Sequence, residues 1–355
     1  MEKATRNKLV IIGNGFDLAH GFETSYHNFI LWYLKGFIKN YNHSDEILSR
    51  EGCGDAKSQN NGVREIDSIK DFQEKYISKE LIKIKSNFFN QLIRVHKEYN
   101  WVDIEREYYS SIVDIYEKIM QNPSSRDEQV KLLIELNRVF EFLRKKLEEY
   151  LTTIQYDHIL KLTPKFSKDF GYVFEEDYYE SFRNSDKKIL FLNFNYTNTI
   201  EKYISKKPFF PELIYIHGKL KDDKNPIIFG FGDEIDGYYK KIEELNINEF
   251  LNNFKSFGYF KTKNYQNLLS FIESDLFDVE ILGHSCGLSD RVLLNTIFEH
   301  KKCEAIKIHY YENNGQNDFT FKTQEISRHF NDGVKSKAKM RERIVDFTGC
   351  QPLKV

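Results

Sequence analysis

The feature that most constrains the fold is the placement of six short apolar runs. One lies near the amino terminus, and the other five lie beyond residue 187. Runs of this length that are rich in Val, Ile, Leu and Phe predict strands buried on both faces of a parallel sheet covered by helices. The six runs are KLVII at 8–12, KILFLN at 188–193, LIYIH at 213–217, PIIF at 226–229, VEILG at 279–283 and AIKIHYY at 305–311.

The long stretch between the first and second runs has a different spacing of apolar residues. Apolar residues recur at helical spacing among Lys and Glu in 67–98, 104–120 and 127–150. The fold class is therefore predicted as α/β, a doubly wound and mostly parallel sheet with a large helical insertion, in which the first strand pairs with strands that follow the insertion. The predicted domains are a discontinuous α/β domain over 1–40 and 186–325, a helical insertion over 41–185, and a C-terminal tail over 326–355.

Composition narrows the class of protein. The 355 residues are 40% apolar and 30% charged, so the chain can bury a core, and a net charge of −2 argues against general nucleic-acid binding. The four cysteines are scattered without a CxxC pair, which favours free thiols over a zinc site or a disulfide framework. The apolar run at 9–12 is too short for a signal sequence, and no run approaches the roughly 20 residues of a membrane span. A cytoplasmic protein is predicted.

The first run leads into the segment GNGFDL at 13–18, which opens a helix predicted to continue through Trp32. Glycine lets a backbone approach a phosphate closely, and a helix N-terminus offers unpaired N–H groups. The turn after the first strand is also where doubly wound sheets bind ligands. Leu18 takes the third glycine position of the dehydrogenase fingerprint, so that motif is absent. Nucleotide binding is predicted, with a tight turn capped by Asp17 as the alternative.

Two further motifs follow predicted strands. In NFNYT at 193–197, Asn and Thr side chains could hydrogen-bond sugar hydroxyls or position a water, although an Asx turn that caps a helix is the alternative. In IHG at 216–218, His217 stands at a strand's carboxyl end beside a glycine. That position makes His217 a candidate catalytic residue, and a structural histidine is the alternative.

The segment GHSCGLSD at 283–290 follows the VEIL strand. It is similar to the G-x-S-x-G turn that presents the nucleophile of α/β-hydrolases, in which case His300 or His309 would supply the base for Ser285. That interpretation leaves the other motifs without a role. A loop of small residues at a strand end can instead hold phosphate or ribose through backbone N–H groups.

The motifs together resemble a known family. IIGNGFDLAHG, NWVDIE, NFNYT, IYIHG, FGFGDE and GHSCGLSDR, in this order, resemble the bacterial AbiH family of phage abortive-infection proteins, over nearly the whole chain. Their order is also similar to the wider sirtuin-like NAD-binding superfamily, whose fold is Rossmann-related. In that comparison residues 13–15 match the sirtuin Gly-Ala-Gly loop, and Asn195 matches the Asn of the sirtuin Asn-Ile-Asp motif. His217 and Gly218 match the catalytic His-Gly pair, and residues 283–285 match the ribose–phosphate loop.

The chain also departs from the sirtuin pattern. Thr197 replaces the Asp that follows the sirtuin Asn, and Asp17 replaces a Ser. The zinc ribbon that would follow His217 is absent. Since that ribbon helps to build the cleft for a peptide substrate, the resemblance does not extend to protein deacetylation.

The resemblance implies an antiviral protein that binds NAD and hydrolyses it to nicotinamide and ADP-ribose. No metal is expected, because His217 and His284 have no ligand partners at metal-site spacing. The resemblance also implies His217 and Asn195 as catalytic residues. The expected nucleotide-binding residues are Gly13, Asn14, Gly15, Phe16, Asp17, Thr197, Gly283, His284, Ser285 and Asp290. The alternative function is a non-catalytic nucleotide sensor that signals through its helical insertion. The expected partner is NAD or a related nucleotide, and no association with a membrane is expected. A phage-derived trigger, another defence protein and a homo-oligomer are left open.

Overall fold

The computed structural model describes residues 5–40, 44–51, 65–99, 103–159, 176–183, 185–204, 211–331 and 333–353. Cys53 and residues 100–102 of the NWVDIE motif lie outside these ranges.

The described chain contains ten strands and fourteen α-helices. The strands are β1 (Asn7–Ile12), β2 (Leu48–Arg50), β3 (Ile82–Ile84), β4 (Ile189–Asn193), β5 (Glu212–Tyr215), β6 (Phe277–Leu282), β7 (Cys303–Tyr310), β8 (Glu312–Asn313), β9 (Gln316–Asn317) and β10 (Gln351–Pro352). The helices are α1 (Asn14–Ala19), α2 (Tyr26–Lys39), α3 (Ile69–Phe72), α4 (Asn87–Tyr99), α5 (Ile104–Gln121), α6 (Arg126–Ile159), α7 (Glu176–Arg183), α8 (Glu201–Ile204), α9 (Gly237–Glu244), α10 (Lys255–Tyr259), α11 (Asn264–Ser274), α12 (Arg291–Phe298), α13 (Phe319–Ser327) and α14 (Gly333–Arg343). Four of the helices, α4 to α7, follow one another between β3 and β4.

The chain divides into two compact units. The first, called here the sheet unit, takes Met1–Thr24, Leu151–Lys240 and Phe254–Val355. The second, the helical unit, takes Ser25–Tyr150 and Lys241–Asn253. The domain limits given from the sequence stay a prediction.

The sheet unit contains a six-stranded sheet in the order β10-β7-β6-β1-β4-β5, and each neighbouring pair is parallel. Counted in chain order within this sheet, the strands run 3-2-1-4-5-6 from β5 to β10. Val10 at the centre pairs with Phe191 of β4 on one side and with Glu280 of β6 on the other. The predicted α/β class, with a parallel sheet that joins the first strand to strands far along the chain, is confirmed.

Within the six-stranded sheet, one predicted strand is wrong and one strand was not predicted. The PIIF run at 226–229 forms no strand, because Pro226 has no N–H to donate and the run follows the turn at 222–225 as irregular chain. The sixth strand is β10, which lies in the predicted tail and pairs with β7 through Gln351 and His309.

Both faces of the sheet are apolar, as parallel central strands require. Leu9 and Ile11 of β1 pack in a cluster with residues of α11 and α12, whereas Val10 and Ile12 pack in a second cluster with residues of α1 and α8. All four side chains are completely buried. Burial of each contributes roughly 1.5–3 kcal/mol, so this central strand is held rigidly and can serve as a platform for the loop that follows it.

The predicted helix from 13 to Trp32 is wrong, because α1 ends at Ala19 and α2 begins at Tyr26. Gly21 between them has φ +76, a left-handed conformation that ends a helix at little steric cost for glycine alone. Ser25 then caps α2 by accepting a hydrogen bond from the Asn28 N–H.

The helical unit contains mainly helices, in line with the sequence pattern. It also contains an unpredicted antiparallel pair, β2 with β3. Asp103 begins α5 by accepting hydrogen bonds from the N–H groups of Glu105 and Arg106, both 3.1 Å long. None of the described helices is both long and apolar enough to span a bilayer.

Candidate functional site

The four motifs lie on loops that follow four strands of the parallel sheet. β1 leads into 13–18, β4 into 194–197, β5 into 216–218 and β6 into 283–290. Since β6, β1, β4 and β5 are neighbours in that order and run parallel, their carboxyl ends meet at one edge of the sheet. Residues that are almost 280 positions apart in sequence are thereby brought together.

The loops after β1 and β6 are in direct backbone contact. The N–H of Gly13 donates to Leu282 O at 3.0 Å, and the N–H of Gly15 donates to Gly283 O at 2.8 Å. A Cβ atom on Gly13 would lie 2.4 Å from Cα of His284, and a Cβ on Gly15 would lie 2.7 Å from Gly283 O. The two glycines therefore permit the approach of the loops. Their own amides are already used, so any phosphate at this edge is held by other groups.

The neighbouring residues Asn14 and Phe16 differ in environment. Asn14 is exposed, and its Oδ1 accepts a 2.5 Å hydrogen bond from Oγ1 of Thr24. Phe16 is completely buried, with its ring centroid 4.5 Å from that of His20 and 5.7 Å from that of Tyr203. Phe16 therefore anchors the loop in the hydrophobic core, whereas Asn14 is accessible from solvent.

Asp17 does not cap α1, because Gly13 is the residue at the helix N-cap. Its side chain is buried, and Oδ2 accepts a 2.5 Å hydrogen bond from Oγ1 of Thr197. Burial raises the pKa of Asp17 to about 6, against a smaller lowering by Thr197 and by the nearby Thr199 and Asn195. The other oxygen, Oδ1, is buried and accepts no hydrogen bond from the residues that the structure describes.

Asn195 joins the loop after β4 to the loop after β1. Its side-chain amide donates to Gly13 O at 3.0 Å. Its backbone N–H donates to Oδ1 of Asn193 at 3.0 Å, which is the Asx turn considered from the sequence. Asn195 and Thr197 are both buried, so the turn fixes two polar side chains at the sheet edge.

The carboxylate of Asp290 is the centre of a buried polar cluster. Its Oδ1 lies 3.1 Å from Nε2 of His217 and 2.8 Å from Nζ of Lys255, and its Oδ2 lies 3.6 Å from Nε2 of His284. All four side chains are less than a tenth exposed. The Lys255 ammonium and the two histidines hold the pKa of Asp290 well below its usual range despite burial, which opposes ionisation.

The two histidines of this cluster are neutral at physiological pH. Burial, together with the nearby Lys255 charge, lowers the pKa of His217 to about 4, although Asp290 acts in the opposite direction. Burial also lowers the pKa of His284. The Phe194 ring packs edge-to-face against both imidazoles, with centroids 5.0 Å from His217 and 4.2 Å from His284. An apolar ring thus forms part of the buried surroundings of both histidines.

Ser285 is exposed, and no described histidine contacts its hydroxyl. His284 is occupied instead by the Cys286 N–H at Nδ1 and by Asp290 at Nε2. His309 pairs with Glu280 and His300 with Glu273. The base needed for a serine nucleophile is therefore absent from the described part of the site.

Lys255 was not identified from the sequence. The only local signal is a single cation among the aromatic residues of the segment NNFKSFGYF at 252–260. Within the described ranges, no group of three or more His, Cys, Asp or Glu residues is arranged to hold a metal ion.

Comparison with known proteins identifies a family. A family model described as "Bacteriophage abortive infection AbiH" matches residues 9–312, so the match runs from within β1 through β7 and includes every motif loop described above. α13, α14 and β10 lie beyond it. No curated protein matches the chain.

Proposed function

The chain belongs to the bacteriophage abortive infection AbiH family, and from that premise we propose that it acts in anti-phage defence by binding NAD and hydrolysing it to nicotinamide and ADP-ribose. The observation that carries the chemical part is the position of His217. It is a neutral histidine, held by an ionised carboxylate, at the carboxyl edge of a parallel sheet.

The strand order supports a nucleotide as the ligand. Dinucleotide-binding doubly wound sheets have the order 3-2-1-4-5-6 and bind ligands at the carboxyl ends of the strands where that order reverses. In this chain the reversal falls between β1 and β6, where the loops containing Gly13 and Gly283 meet. We therefore place NAD at this edge and assign the sheet unit to the sirtuin-like group of folds.

The reaction requires few groups. The oxygen of a water attacks C1′ of the nicotinamide ribose, the bond from C1′ to the nicotinamide nitrogen breaks, and its electron pair neutralises the pyridinium. The water loses one proton, and His217 accepts it at Nδ1, which no described residue hydrogen-bonds. Asn195 orients the water or the ribose hydroxyls, since its amide is fixed by Gly13 O.

The remaining motif residues have supporting roles in this proposal. Asp17, orientated by Thr197, accepts a hydrogen bond from a ribose hydroxyl at its free Oδ1. Asn14 and Ser285 are exposed at the rim and can donate to phosphate oxygens. Gly13, Gly15 and Gly283 keep the loops close, and Phe16 supports them. His284 and Asp290 act on His217 rather than on the nucleotide.

Release of nicotinamide tests the proposal. The full chain is incubated with NAD, alone and in lysate from phage-infected cells, and nicotinamide is measured by chromatography. We expect His217→Ala to lower the rate by a factor of about 10² or more while NAD binding, measured by calorimetry, is retained. His300→Ala is the matched control, because His300 pairs with Glu273 before β7, away from the motif loops. Binding without any nicotinamide release in either condition would contradict hydrolysis.

One observation favours a second candidate, the non-catalytic NAD sensor. The side chains of Asn195 and His217 are only 8% and 5% exposed, so a ligand reaches them only if the loops move, and such movement is what a sensor would transmit. For a sensor, His217→Ala would change NAD affinity and leave nicotinamide at background in both the variant and the wild type.

A further inference from the structure

Lys255 is a buried cation in a position that the proposed reaction does not use directly. Its side chain is 1% exposed, and Nζ lies 2.8 Å from Oδ1 of Asp290. A buried ammonium is costly unless it is paired and hydrogen-bonded. The pairing with Asp290 meets that requirement and places a full positive charge beside the carboxylate that contacts His217.

The geometry fixes where the protons of both histidines lie. An ionised carboxylate only accepts hydrogen bonds, so Nε2 of His217, 3.1 Å from Asp290, must bear its proton. The Cys286 N–H donates to Nδ1 of His284 at 2.9 Å, so that nitrogen is unprotonated and the proton of His284 also lies on Nε2. Each neutral imidazole therefore directs an N–H at the same carboxylate.

The charges in this cluster then balance. Lys255 contributes one positive charge, Asp290 one negative charge, and the two neutral imidazoles none. Tyr259 also faces His217, with its hydroxyl 3.3 Å from Nε2. Lys322 donates to His284 O at 2.6 Å, and Nε2–H of the neutral His329 donates to Cys286 O at 2.8 Å, so neither hydrogen bond involves Asp290.

Removal of the ammonium would upset this balance. Asp290 would keep its negative charge in a buried site with only two neutral donors. The change that restores a positive charge beside it at the lowest free-energy cost is the binding of a second proton to His217. An imidazolium carries N–H on both ring nitrogens, so Nδ1 could no longer accept a proton.

We propose that Lys255 is a positioning residue: it neutralises Asp290, so that Asp290 orientates His217 through Nε2 without drawing a second proton onto the ring, and Nδ1 stays free as the proton acceptor. The use made of Nδ1 rests on the proposed function. The charge relation between Lys255, Asp290 and His217 does not.

The test is an NMR titration of the His217 ring in the full chain. In the wild type, long-range ¹H–¹⁵N spectra at pH 7 should show the Nε2–H tautomer. In Lys255→Met, which keeps an unbranched apolar side chain but lacks the ammonium, the midpoint of proton uptake by His217 and Asp290 should rise by about one to three pH units. The chemical shifts of the His217 ring change whether the proton binds to His217 or to Asp290, so they follow the titration in both cases. Lys255→Arg, which keeps the charge, should leave the midpoint within about half a unit of the wild type.

Lys322→Met is the matched control, since it also removes a buried ammonium of this loop region but one that contacts a backbone carbonyl instead of Asp290. Its His217 midpoint should stay at the wild-type value. An unchanged midpoint in Lys255→Met, or equal rises in both Met variants, would overturn the proposal. If Lys255→Met does not fold, the wild-type spectrum decides alone: an imidazolium or an Nδ1–H tautomer at pH 7 would overturn it.

Nicotinamide release tests the proposed function independently of the His217 titration. If the midpoint rises in Lys255→Met while the wild type releases no nicotinamide, the role of Lys255 in setting the proton of His217 stands and the proposed function fails. If the wild type is active, the acidic fall of kcat in Lys255→Met should move to higher pH by the same amount as the titration midpoint, about one to three pH units, whereas that of Lys322→Met should stay at the wild-type position.

Discussion

Oγ1 of Thr197 donates a 2.5 Å hydrogen bond to Oδ2 of Asp17, although 180 positions separate the two residues. The bond joins α1 to the loop after β4, and both side chains are at most 2% exposed. It leaves Oδ1 of Asp17 with no hydrogen bond from a described residue. A carboxylate that is buried with one oxygen unsatisfied is destabilising, so a ligand hydroxyl that reached this oxygen would stabilise the folded protein.

We predict that Asp17→Asn stabilises the ligand-free protein at neutral pH. Burial raises the pKa of Asp17 to about 6 in the folded state, above its unfolded value of about 3.8. The folded state therefore binds the proton more tightly, and the wild type loses stability as pH rises from about 4 to about 6, by an amount on the order of 3 kcal/mol. Asn does not ionise and still accepts from Thr197, so the variant escapes this loss.

The measurement is Tm of both proteins at pH 4 and pH 7.5, with calorimetric titration of NAD. The Tm of Asp17→Asn should be higher relative to that of the wild type at pH 7.5 than at pH 4. The variant should also bind NAD more weakly than the wild type. A difference in Tm that is the same at both pH values would show that Asp17 does not carry the raised pKa.

We predict that Gly13→Ala destabilises the protein by about 1–3 kcal/mol, because a Cβ there would lie 2.4 Å from Cα of His284. Backbone atoms cannot move aside as a flexible side chain can, so the two loops must separate. Gly36→Ala in α2 is the matched control: nothing lies within 4 Å of its Cβ position, and alanine in a helix interior should stabilise by roughly 0.5–1 kcal/mol. Urea unfolding measures both. Equal effects of the two substitutions would refute the close loop contact.

We predict a flat pH profile for NAD hydrolysis across the neutral range. A general base acts in its unprotonated form, and burial lowers the pKa of His217 to about 4, so kcat at saturating NAD should stay level from pH 8 down to about pH 5 and fall only near pH 4. The profile of kcat/KM should fall earlier, near pH 6, because Asp17 takes up its proton there and binds NAD less well. Circular dichroism at each pH verifies that the fold persists. A fall in kcat centred near pH 6.5, where an unperturbed histidine titrates, would show that His217 is exposed in the active protein or is not the base.

We predict that Ser285 is not a nucleophile. Its hydroxyl contacts no described histidine, and without a base a serine is a weak nucleophile. A fluorophosphonate probe should therefore leave Ser285 unlabelled in protein that hydrolyses NAD, as judged by peptide mass spectrometry. Stoichiometric labelling that abolishes activity would restore the serine hydrolase hypothesis.

The sequence was sufficient for the sheet and for its motif loops. Four strands were recognisable from short runs dominated by apolar residues, and each motif stands directly after one of them, so a parallel arrangement alone brings the loops to one edge. The convergence of Gly13 and His284 follows from β1 pairing with β6. Local pattern and sheet geometry are enough for this part.

The sequence was insufficient where a residue's role depends on distant partners. Lys255 matters only because Asp290, 35 positions away, lies 2.8 Å from it, and nothing in the pattern around Lys255 encodes that contact. The glycines were interpreted as a phosphate cradle, but their amides are taken by the carbonyl oxygens of Leu282 and Gly283. The break at Gly21 was missed because helical apolar spacing continues on both sides of it.

Strand β10 has a consequence for how the protein can associate with itself. It is only two residues long, it forms one border of the sheet beyond β7, and its second residue is Pro352. A border strand with free N–H groups can template the addition of a strand from another molecule, which is the first step of aggregation. Pro352 has no N–H, and a strand this short presents little else, so β10 closes this end of the sheet against growth by strand addition.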